Sequence, residues 1–585
     1  MTSAKVVGRR IVVTAPFALK DRLKSIPSRR WDGEIRAWCY PATAGAAYGI
    51  LHAIPGVEGD EAFRGLVAQA EEGEGIRSDS TASGSPTVHD WPADLRRYQR
   101  QGAAFILARG AAYLPHRMGY GKTRTVIEAV KAGRLKRVLV LCPRTVVPSW
   151  EAEWAKWAAP GTFLALRNNR SVVQRAEALA RAWALADARG EGLAVAVNYE
   201  AAWRVPLGPA LLARRWDLVV GDEIHRGKSP GRGDYAAILK KKEGGADART
   251  SGVTSLFLAE LAWSADRRVG LSGTPFPNSP LDIWAQLRFV DPGILEASYG
   301  SFLVKHAIRG GYAGKQVLAL EGLDEINAAF DSVSIKLRPE DALSLPPQTH
   351  VDRIAELGEK ASKIYREVET SFVATLPEDM GQVSIANALV EVIRLQQICS
   401  GHIKLDPEEE GREGKIVQVD TAKEDALREI LEDLPEKEPV VVFCKFKESL
   451  SAVHRAAKDA GRKSAELSGS RDELEAWKGS AAEVLAIQIQ AGGVGIDCSR
   501  AAECIFFDEE WSPAVLDQAV CRLHRHGQTR PVTYHHLVAV LADGKPTVDA
   551  RIRKAVARKE KVIEEVLRSL KNDSEFPTTQ GEESI

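Results

Sequence analysis

Cysteine is scarce in this chain of 585 residues, which has seven scattered cysteines and no CxxC spacing. The pattern supports neither a disulfide framework nor a zinc site, and it favours a reducing compartment, the cytoplasm. Long apolar runs are lacking as well, because none approaches the ~18 residues that a membrane helix needs. Net charge is also lacking, since 79 basic and 79 acidic side chains balance. That balance excludes a protein that coats nucleic acid by bulk charge, but it permits a local basic groove.

The composition that is present is ordinary for a globular protein, with 44% hydrophobic and 27% charged residues. The length suggests about three to five domains. The first 22 residues place basic side chains before a short apolar stretch, as a secretory signal would. Thr14 and Pro16 interrupt that stretch, and Lys20, Asp21 and Arg22 follow it in place of a small-residue cleavage site. We therefore expect a strand pair in a small folded module.

Short apolar runs alternate with helical patterns from Trp91 onward. Each run ends in a loop rich in Gly, Pro or acidic residues, which is typical of buried parallel strands. The sequence therefore predicts an α/β fold with two parallel-sheet lobes. The predicted strands are 137–143, 193–200, 216–223 and 267–275 in the first lobe, and 438–445, 484–493, 503–510 and 532–539 in the second.

Changes of composition predict the domain boundaries. The N-terminal segment is basic, whereas residues 70–87 are rich in Gly, Ser, Thr and charge and have almost nothing to bury. The predicted order is a small module at 1–60, a flexible linker at 61–92, the first lobe at 93–310, a helical insertion at 311–400, the second lobe at 401–545, a bracing helix at 546–570 and a disordered tail at 571–585.

The segment HRMGYGKT (116–123) has the features of a phosphate-binding loop that opens a helix. Gly119 and Gly121 would let the backbone close around phosphates. Lys122 would bring charge to the β- and γ-phosphates, and the Thr123 hydroxyl can ligate Mg²⁺. The strict pattern has Gly where this chain has His116, so an ordinary glycine-rich turn is the alternative.

The segment DEIH (222–225) places an acidic pair directly after the apolar run WDLVV. Such a pair is costly at the end of a buried strand unless it meets a cation, and Mg²⁺ is the natural one. Asp222 would hold the metal, and Glu223 would orient or deprotonate the attacking water. A capping Asp beside a solvated Glu is the alternative for the motif alone. Its position about 100 residues after the phosphate-loop pattern favours a nucleotide-hydrolysing lobe.

The segment QAVCRLHRHGQ (518–528) supplies a third candidate. On a helix, Gln518, Arg522 and Arg525 would share one face. A solvated surface is the ordinary explanation of such a face. In a second lobe these arginines could instead be fingers that complete a site between the lobes.

Taken in order, the segments resemble the motifs of the Swi/Snf-type superfamily-two ATPases over about residues 93–570. The matching segments are LRRYQRQGAAFI (95–106), MGYGKT (118–123), VLCPRTVVPSW (140–150), DEIHRGKS (222–229), LSGTPFPNSPLDIWAQLRFV (271–290), VVVFCKFKESL (440–450), QAGGVGIDCS (490–499), FFDEEWSPAVLDQA (506–519) and QAVCRLHRHGQ (518–528). The resemblance implies two RecA-like lobes with helical insertions and a DNA-dependent ATPase activity.

The resemblance also implies residue roles. Gln99 would read the adenine. The nucleotide would be held by Met118, Gly119, Tyr120, Gly121, Lys122, Thr123, Arg124, Gly495 and Asp497. Ser272, Gly273 and Thr274 would couple hydrolysis to lobe movement. DNA would contact Pro143, Arg144, Gln490, Gly492 and Gly493.

The N-terminal segment IPSRRWDGEIRAWCYP (26–41) resembles the HARP domain of annealing helicases in this family. Arg29, Arg30 and Arg36 could grip phosphates. Trp31 and Trp38 could stack on an unpaired base. The alternative is a small β-module in which the tryptophans are core residues.

Several positions depart from the family pattern. His116 and Arg117 replace the usual acidic pair before the glycine-rich loop, which puts the local electrostatics in doubt. Gln488 and Gln490 stand where Ser or Thr is usual, so DNA contact there could differ. Asp497 replaces a usual Asn and could still reach a ribose hydroxyl.

We therefore predict an ATP- and Mg²⁺-dependent translocase that acts on double-stranded or branched DNA, remodelling it or displacing bound protein. Its expected location is with DNA inside the cell. An RNA helicase or a restriction-type motor subunit is one alternative, which the elements WSP and RHGQ disfavour. A scaffold that binds ATP without hydrolysing it is another, although such relatives usually lose the Lys or the acidic pair that stand here.

Overall fold

The computed structural model describes residues 2–78, 90–167, 169–231, 235–238, 252–276, 279–310, 316–337, 341, 345–374, 385–404, 415–489 and 496–557. The chain divides into two compact units, Met1–Leu343 and Ser344–Ile585. Among the described helices, none combines the length and the apolarity needed to cross a bilayer.

The first unit begins with a five-stranded sheet in the order β3-β4-β2-β1-β5. Strands β1 and β2 pair antiparallel, which confirms the predicted strand pair. Ile11, Val13, Tyr40 and Ile50 form part of a small buried core. The elements are β1 (Ser3–Val7), β2 (Arg10–Thr14), α1 (Lys20–Ser25), β3 (Arg30–Asp32), β4 (Ala37–Pro41), α2 (Ala44–Ala53), β5 (Glu58–Gly59) and α3 (Glu61–Ser78).

Helix α3 shows that the prediction of a flexible linker beginning at residue 61 is wrong. The helix buries Phe63, Val67 and Ile76 along its length, so this stretch is packed and not flexible. The remaining residues of the predicted linker include 79–89, which lie outside the described part of the chain.

Small residues explain why composition misled the linker prediction. Gly73 of α3 lies against the next helix, and a Cβ at this position would stand 2.7 Å from Cδ of Arg109. The side-chain amide of Gln101 also donates to the backbone oxygen of Ile76 over 2.9 Å. Residues that look like linker residues in the sequence therefore let two helices approach closely.

The first unit continues with a six-stranded sheet in the order β6-β11-β10-β7-β9-β8. All five neighbouring pairs run parallel, which confirms the predicted α/β architecture. Its strands are β6 (Ala111–Leu114), β7 (Arg137–Cys142), β8 (Thr162–Leu166), β9 (Leu193–Asn198), β10 (Trp216–Asp222) and β11 (Ala265–Leu271).

The helices of this lobe connect and flank the strands. They are α4 (Arg97–Arg109), α5 (Lys122–Ala132), α6 (Val147–Lys156), α7 (Val172–Arg189), α8 (Tyr199–Ala202), α9 (Leu207–Leu212), α10 (Val253–Leu261), α11 (Ile283–Val290), α12 (Tyr299–His306) and α13 (Leu323–Ser332). A short antiparallel pair, β12 (Ala307–Gly310) and β13 (Gln316–Leu320), precedes α13. Phe330 of α13 packs on Tyr113 of β6 with ring centroids 5.0 Å apart, so this helix belongs to the first lobe.

The second unit holds another six-stranded parallel sheet, in the order β14-β21-β20-β17-β19-β18. Its strands are β14 (Gln348–Glu356), β17 (Val440–Cys444), β18 (Ser464–Leu467), β19 (Val484–Gln488), β20 (Glu503–Phe506) and β21 (Val532–Val540). A small hairpin joins β15 (His402–Lys404) to β16 (Ile416–Gln418). The helices are α14 (Glu359–Ala374), α15 (Ile385–Cys399), α16 (Ala422–Asp433), α17 (Lys447–Asp459), α18 (Leu474–Lys478), α19 (Pro513–Leu523) and α20 (Val548–Ala557).

The predicted helical insertion at 311–400 is wrong in one part, because β14 is a strand of the second sheet. It pairs with β21 in parallel over nine residues. As an edge strand it is mostly exposed, so its sequence lacks the buried apolar run used to predict strands. The predicted bracing helix at 546–570 is described only as α20, and the predicted tail at 571–585 lies outside the described residues.

Candidate active site

The phosphate-loop segment connects β6 to α5 at the carboxyl end of the first parallel sheet. Gly119 and Gly121 have φ of +83° and +70°, values that favour glycine. A Cβ on Gly121 would also stand 2.4 Å from Nε2 of Gln99. Helix α5 begins at Lys122, directly after this glycine. The loop therefore needs glycine for both its backbone conformation and its close packing.

Lys122 is held inside the loop that precedes it. Its Nζ donates to the backbone oxygen of His116 over 2.7 Å and, more weakly, to that of Arg117 over 3.4 Å. The lysine is 8% exposed. The hydroxyl of Thr125 donates to the backbone oxygen of Gly121 and fixes the first turn of α5. The charge of Lys122 is thus positioned by backbone groups of the loop itself.

Gln99 supports the loop from α4. Its Oε1 accepts from the backbone N–H of Arg96 over 3.0 Å, and its Nε2 donates to the backbone oxygen of Tyr120 over 3.4 Å. The hydroxyl of Tyr98 donates to the same oxygen over 3.0 Å. The structure therefore places Gln99 beside the loop, and its contact with adenine stays a prediction.

The other predicted nucleotide contacts in this lobe differ in their surroundings. Met118 and Thr123 are half-buried. Arg124 donates to Asp94 over 2.7 Å, and its guanidinium lies 3.8 Å from the ring centroid of Trp157. Arg124 is therefore already engaged at the surface of α5.

His116 replaces a residue that is usually acidic, and the structure shows how it is accommodated. Its Nε2 lies 2.8 Å from the backbone oxygen of Ile335. Burial lowers the pKa of His116 to about 4. The ring is therefore neutral near pH 7, and Arg117 beside it is exposed.

The acidic pair lies at the carboxyl end of β10. Asp222 and Glu223 are 7% and 3% exposed, so the alternative of a solvated Glu is wrong. The indole N–H of Trp150 donates to Oδ2 of Asp222 over 2.9 Å. Burial first and then the charge of Glu223 raise the pKa of Asp222 to about 6, and Lys122 opposes the rise. The phosphate-loop lysine and the acidic pair are thus electrostatically coupled.

Glu223 leaves the strand through a left-handed backbone conformation, with φ of +52°. Such a conformation is uncommon outside glycine and is often found at functional sites. Oε2 of Glu223 lies 3.3 Å from Nδ1 of His225. The same Nδ1 lies 2.8 Å from the hydroxyl oxygen of Ser272.

Ser272 joins the acidic box to the segment predicted to couple hydrolysis to movement. Its hydroxyl oxygen accepts from the backbone N–H of Thr274 over 3.1 Å. A Cβ on Gly273 would lie 3.3 Å from Cα of Arg117, so this segment packs against the phosphate loop. The sequence interpretation assigned no role to His225, although its position as the last letter of the acidic box was a signal.

In the second unit, the helical-face prediction fails for one of its three members. Helix α19 ends at Leu523, so Arg525 lies in the following turn, whereas Gln518 and Arg522 lie on the helix. Arg522 is 3% exposed, and the side chain of Arg525 is 26% exposed. The solvated surface is therefore ruled out for Arg522.

Arg525 and Asp497 are neighbours in this unit. Nε of Arg525 lies 3.9 Å from Oδ2 of Asp497, and its Nη1 donates to the backbone oxygen of Ile496 over 3.2 Å. Burial opposes a low pKa for Asp497, but Arg525 and hydrogen bonds from Ser499 lower it. The predicted contacts Gln490, Gly492, Gly493 and Gly495 lie outside the described residues.

The predicted DNA contacts of the first unit are only partly exposed. Arg144 is exposed and Pro143 is buried at the end of β7. In the N-terminal module, Trp31 is 51% exposed and pairs across the strands with Trp38, with ring centroids 5.2 Å apart. Trp38 packs against the module core. The alternative of core tryptophans therefore holds for Trp38 but not for the exposed Trp31.

The module's predicted phosphate contacts lie near this tryptophan pair. Arg29, Arg30 and Arg36 are all exposed. Their positions agree with a basic surface, and their contact with DNA stays a prediction.

Part of the second unit matches a known protein family. Residues 422–527 match the helicase conserved C-terminal domain. The chain is 27% identical to putative protein p41 of Acyrthosiphon pisum secondary endosymbiont phage 1, over 78% of this chain and 94% of that protein.

Two further relatives are longer proteins. The chain is 24% identical to the uncharacterized ATP-dependent helicase MG018 of Mycoplasma genitalium over 81% of its length. It is also 24% identical to the DNA repair and recombination protein RDH54 of Saccharomyces cerevisiae over 69% of its length. In each case the match spans 42% of the relative.

Among solved structures, the chain is similar to the SWI2/SNF2 ATPase core of Sulfolobus solfataricus in complex with dsDNA. The match spans 82% of this chain and 94% of the solved chain, with 21% identity and a TM-score of 0.34. The described part of the chain therefore combines two parallel-sheet lobes, a phosphate loop beside a buried acidic pair and a match to the helicase conserved C-terminal domain, which are the features that the resemblance to the Swi/Snf-type superfamily-two ATPases predicts.

Proposed function

We propose that the chain is an ATP-driven translocase on double-stranded DNA, which remodels branched DNA or displaces bound protein. One observation carries the proposal: the buried pair Asp222 and Glu223 lies within the electrostatic reach of Lys122 at the carboxyl end of β10. Ligands bind at this end of the strands in open parallel sheets. The arrangement suits hydrolysis of a nucleoside triphosphate.

Lys122 would stabilise the phosphate charge. In the structure its ammonium group donates to backbone oxygens of the loop, so it is already aimed at the concave side of the turn. A positioned cation at the transferring phosphate contributes most where charge develops in the transition state. Helix α5 adds the positive end of its dipole at the same place.

The acidic pair fits a divalent cation. Two carboxylates are buried side by side, and the raised pKa of Asp222 shows that their charge is costly there without a cation. Asp222, Glu223 and the Thr123 hydroxyl would hold Mg²⁺, which when bound supplies neutralisation of the phosphate oxygens. Glu223 would orient the attacking water and accept its proton.

His225 and Ser272 support this role for Glu223. The imidazole contacts both the carboxylate of Glu223 and the hydroxyl of Ser272. A movement of the segment around Ser272 would therefore change the contact between His225 and Glu223. We infer that this chain of contacts couples hydrolysis to movement. Arg525 would contribute to the transition state as an arginine finger, since it is partly exposed on a turn of the second unit.

Duplex DNA is the proposed track. The relative RDH54 is named as a DNA repair and recombination protein, and the solved Sulfolobus core was determined with dsDNA. Arg144 lies exposed after β7, and the N-terminal module presents exposed arginines beside Trp31. Exposed arginines suit contact with phosphates without base reading.

ATPase activity measured with duplex DNA, forked DNA, single-stranded DNA and RNA tests the proposal. We expect duplex and forked DNA to stimulate turnover most. Glu223→Gln should abolish turnover with every polymer. Stronger stimulation by RNA would favour the RNA helicase alternative. ATP binding without phosphate release would favour the scaffold.

A further inference from the structure

A cleft of about 410 Å³ lies where the N-terminal module meets the first parallel sheet. The module contributes Gly8, Arg9 and residues 42–44 to its wall, helix α3 contributes Leu66 and Gln69, and the lobe contributes the rest. The volume lies in the range of ligand sites. The cleft exists only because the two parts are docked together.

The cleft and the candidate active site lie at opposite ends of the strands of the first parallel sheet. Arg215 immediately precedes β10, Asp266 and Arg267 open β11, and Gly110 immediately precedes β6. These are amino ends of parallel strands, whereas Lys122 and Asp222 lie at carboxyl ends. The cleft is therefore separate from the nucleotide site.

Arginine dominates the lining. The cationic side chains are Arg9, Arg109, Arg215, Arg267 and Arg268, and the one carboxylate among the described lining residues is Asp266. Arg215 pairs with Asp266, Arg9 pairs with Glu260 just outside, and Arg109 pairs with Asp291 beneath the cleft. Five arginines against these three carboxylates leave two positive charges in excess.

Two of the arginines are held by backbone oxygens. Arg267 donates to the backbone oxygen of Leu107 over 3.4 Å, and Arg268 donates to that of Val290 over 2.9 Å. Arg109 is 4% exposed, and within the described residues its Nη1 has no hydrogen-bond partner. The cleft therefore has positive charge that its own carboxylates do not balance.

We propose that this cleft binds phosphate, chiefly the phosphodiester backbone of a DNA segment lying beside the module. Guanidinium groups match the fork of phosphate oxygens and are weakly hydrated, so several of them around one opening suit that ligand. The rim arginines Arg9 and Arg215 have side chains 54% and 67% exposed, which leaves them accessible to a polymer. The DNA arm of this inference rests on the proposed function.

Two exposed arginines give a matched pair for the test. Arg215 and Arg181 have side chains 67% and 72% exposed, and each pairs with one carboxylate, but Arg181 lies on α7 away from the cleft lining. Binding of the full chain to a labelled duplex would be measured across a salt series for the wild type, Arg215→Gln, Arg181→Gln and Asp266→Asn.

We expect Arg215→Gln to weaken DNA binding on the order of fivefold at about 0.1 M salt and to reduce the salt slope by about 0.9, the effect of losing one phosphate contact. Arg181→Gln should match the wild type. Asp266→Asn should tighten DNA binding. A general loss of structure would weaken DNA binding instead.

A measurement with inorganic phosphate tests whether the ligand of the cleft is free phosphate and not DNA. If duplex binding does not separate the two arginine variants, but phosphate raises the melting temperature of wild type and Arg181→Gln more than that of Arg215→Gln, the cleft holds free phosphate. Phosphate bound at the nucleotide loop affects all variants equally.

The inference is overturned if neither DNA nor phosphate distinguishes Arg215→Gln from Arg181→Gln. Failure of wild-type DNA binding and DNA-stimulated ATPase activity would count against the proposed function instead, and the phosphate measurement would still decide the cleft.

Discussion

Nδ1 of His225 lies 2.8 Å from the hydroxyl oxygen of Ser272 and 3.3 Å from Oε2 of Glu223. One imidazole nitrogen thus contacts both the acidic box and the segment that follows β11. A single hydrogen on that nitrogen can serve one partner well at a time, so the contact can exist in two arrangements. We infer from this relationship that His225 would link hydrolysis at Glu223 to movement of the segment around Ser272.

His225→Ala should lower DNA-stimulated kcat by about tenfold while leaving the affinity for ATP nearly unchanged, because the contacts of the ring are with Glu223 and Ser272, which are proposed to act in hydrolysis and in its coupling to movement. Ser272→Ala should have a similar effect. The double variant should lose little more than either single variant, since both remove one linkage. Steady-state kinetics with nucleotide-binding measurements check this, and fully additive losses would contradict it.

Lys122→Ala should abolish hydrolysis and leave the fold intact. Loss of the positioned ammonium should cost on the order of 3 kcal/mol or more in the transition state. Phosphate release and circular dichroism are the measurements. Lys131→Ala on the same helix is the control, because that lysine pairs with Glu128 at the far end of α5. Retention of more than about a tenth of wild-type turnover by Lys122→Ala would end the phosphate-loop assignment.

Arg525→Ala should reduce turnover strongly and leave ATP binding nearly unchanged, because an arginine finger acts mainly in the transition state. Such residues contribute about 10³–10⁵ in rate. Arg522→Ala removes a nearly buried side chain and should also lower the melting temperature. Equal losses of ATP affinity and of kcat/KM in Arg525→Ala would indicate a ground-state binding role.

Asp222 should make stability depend on pH in metal-free buffer. Its pKa in the folded protein is about 6, above the ordinary value near 4. Between these values the folded state binds more protons than the unfolded state, so stability falls as pH rises from about 4 to 6. Above about pH 6, Asp222 is ionised in the folded protein, and its destabilising effect is fully present.

Asp222→Asn removes that cost and keeps an acceptor for Trp150. We expect the variant to melt at a higher temperature than the wild type at pH 8, to show little difference at pH 4, and to lack hydrolysis. Thermal melting of both proteins with a metal chelator is the measurement. An equal shift at both pH values would mean that the carboxylate charge is not the cause.

The buried strands and the glycine-rich turn of the first lobe could be predicted from sequence because apolar runs and glycine positions act locally. Strand β14 could not, since its edge position leaves it polar, and its identity depends on pairing with β21. The turn after Leu523 also escaped prediction, because helical periodicity continues in the sequence past the point where the backbone ends the helix.

The docking of the N-terminal module was likewise beyond the sequence, because it depends on contacts between residues far apart in the chain. The hydroxyl of Thr43 donates to the backbone oxygen of Pro292 over 3.1 Å, and that of Ser28 donates to the backbone oxygen of Leu295 over 2.5 Å. A Cβ on Gly293 would stand 2.7 Å from Cγ of Pro41. Composition at 70–87 instead suggested a module on a tether.

Deletion of residues 1–60 should therefore lower the melting temperature of the protein, because it uncovers the first lobe where Thr43, Pro41 and Ser28 pack on it. The ion pair between Arg109 and Asp291 would become solvent-accessible, since Gly45 of the module approaches Oδ2 of Asp291 so closely that a Cβ would stand 2.5 Å from it. Thermal melting of full-length and truncated chains is the measurement. Thr43→Val, which removes one hydroxyl and keeps the module, is the milder comparison and should shift the melting temperature in the same direction by a smaller amount. A truncated chain that melts at the full-length temperature would show that the module is held only by its tether, and the arginine cleft would then lose the wall that Arg9 supplies.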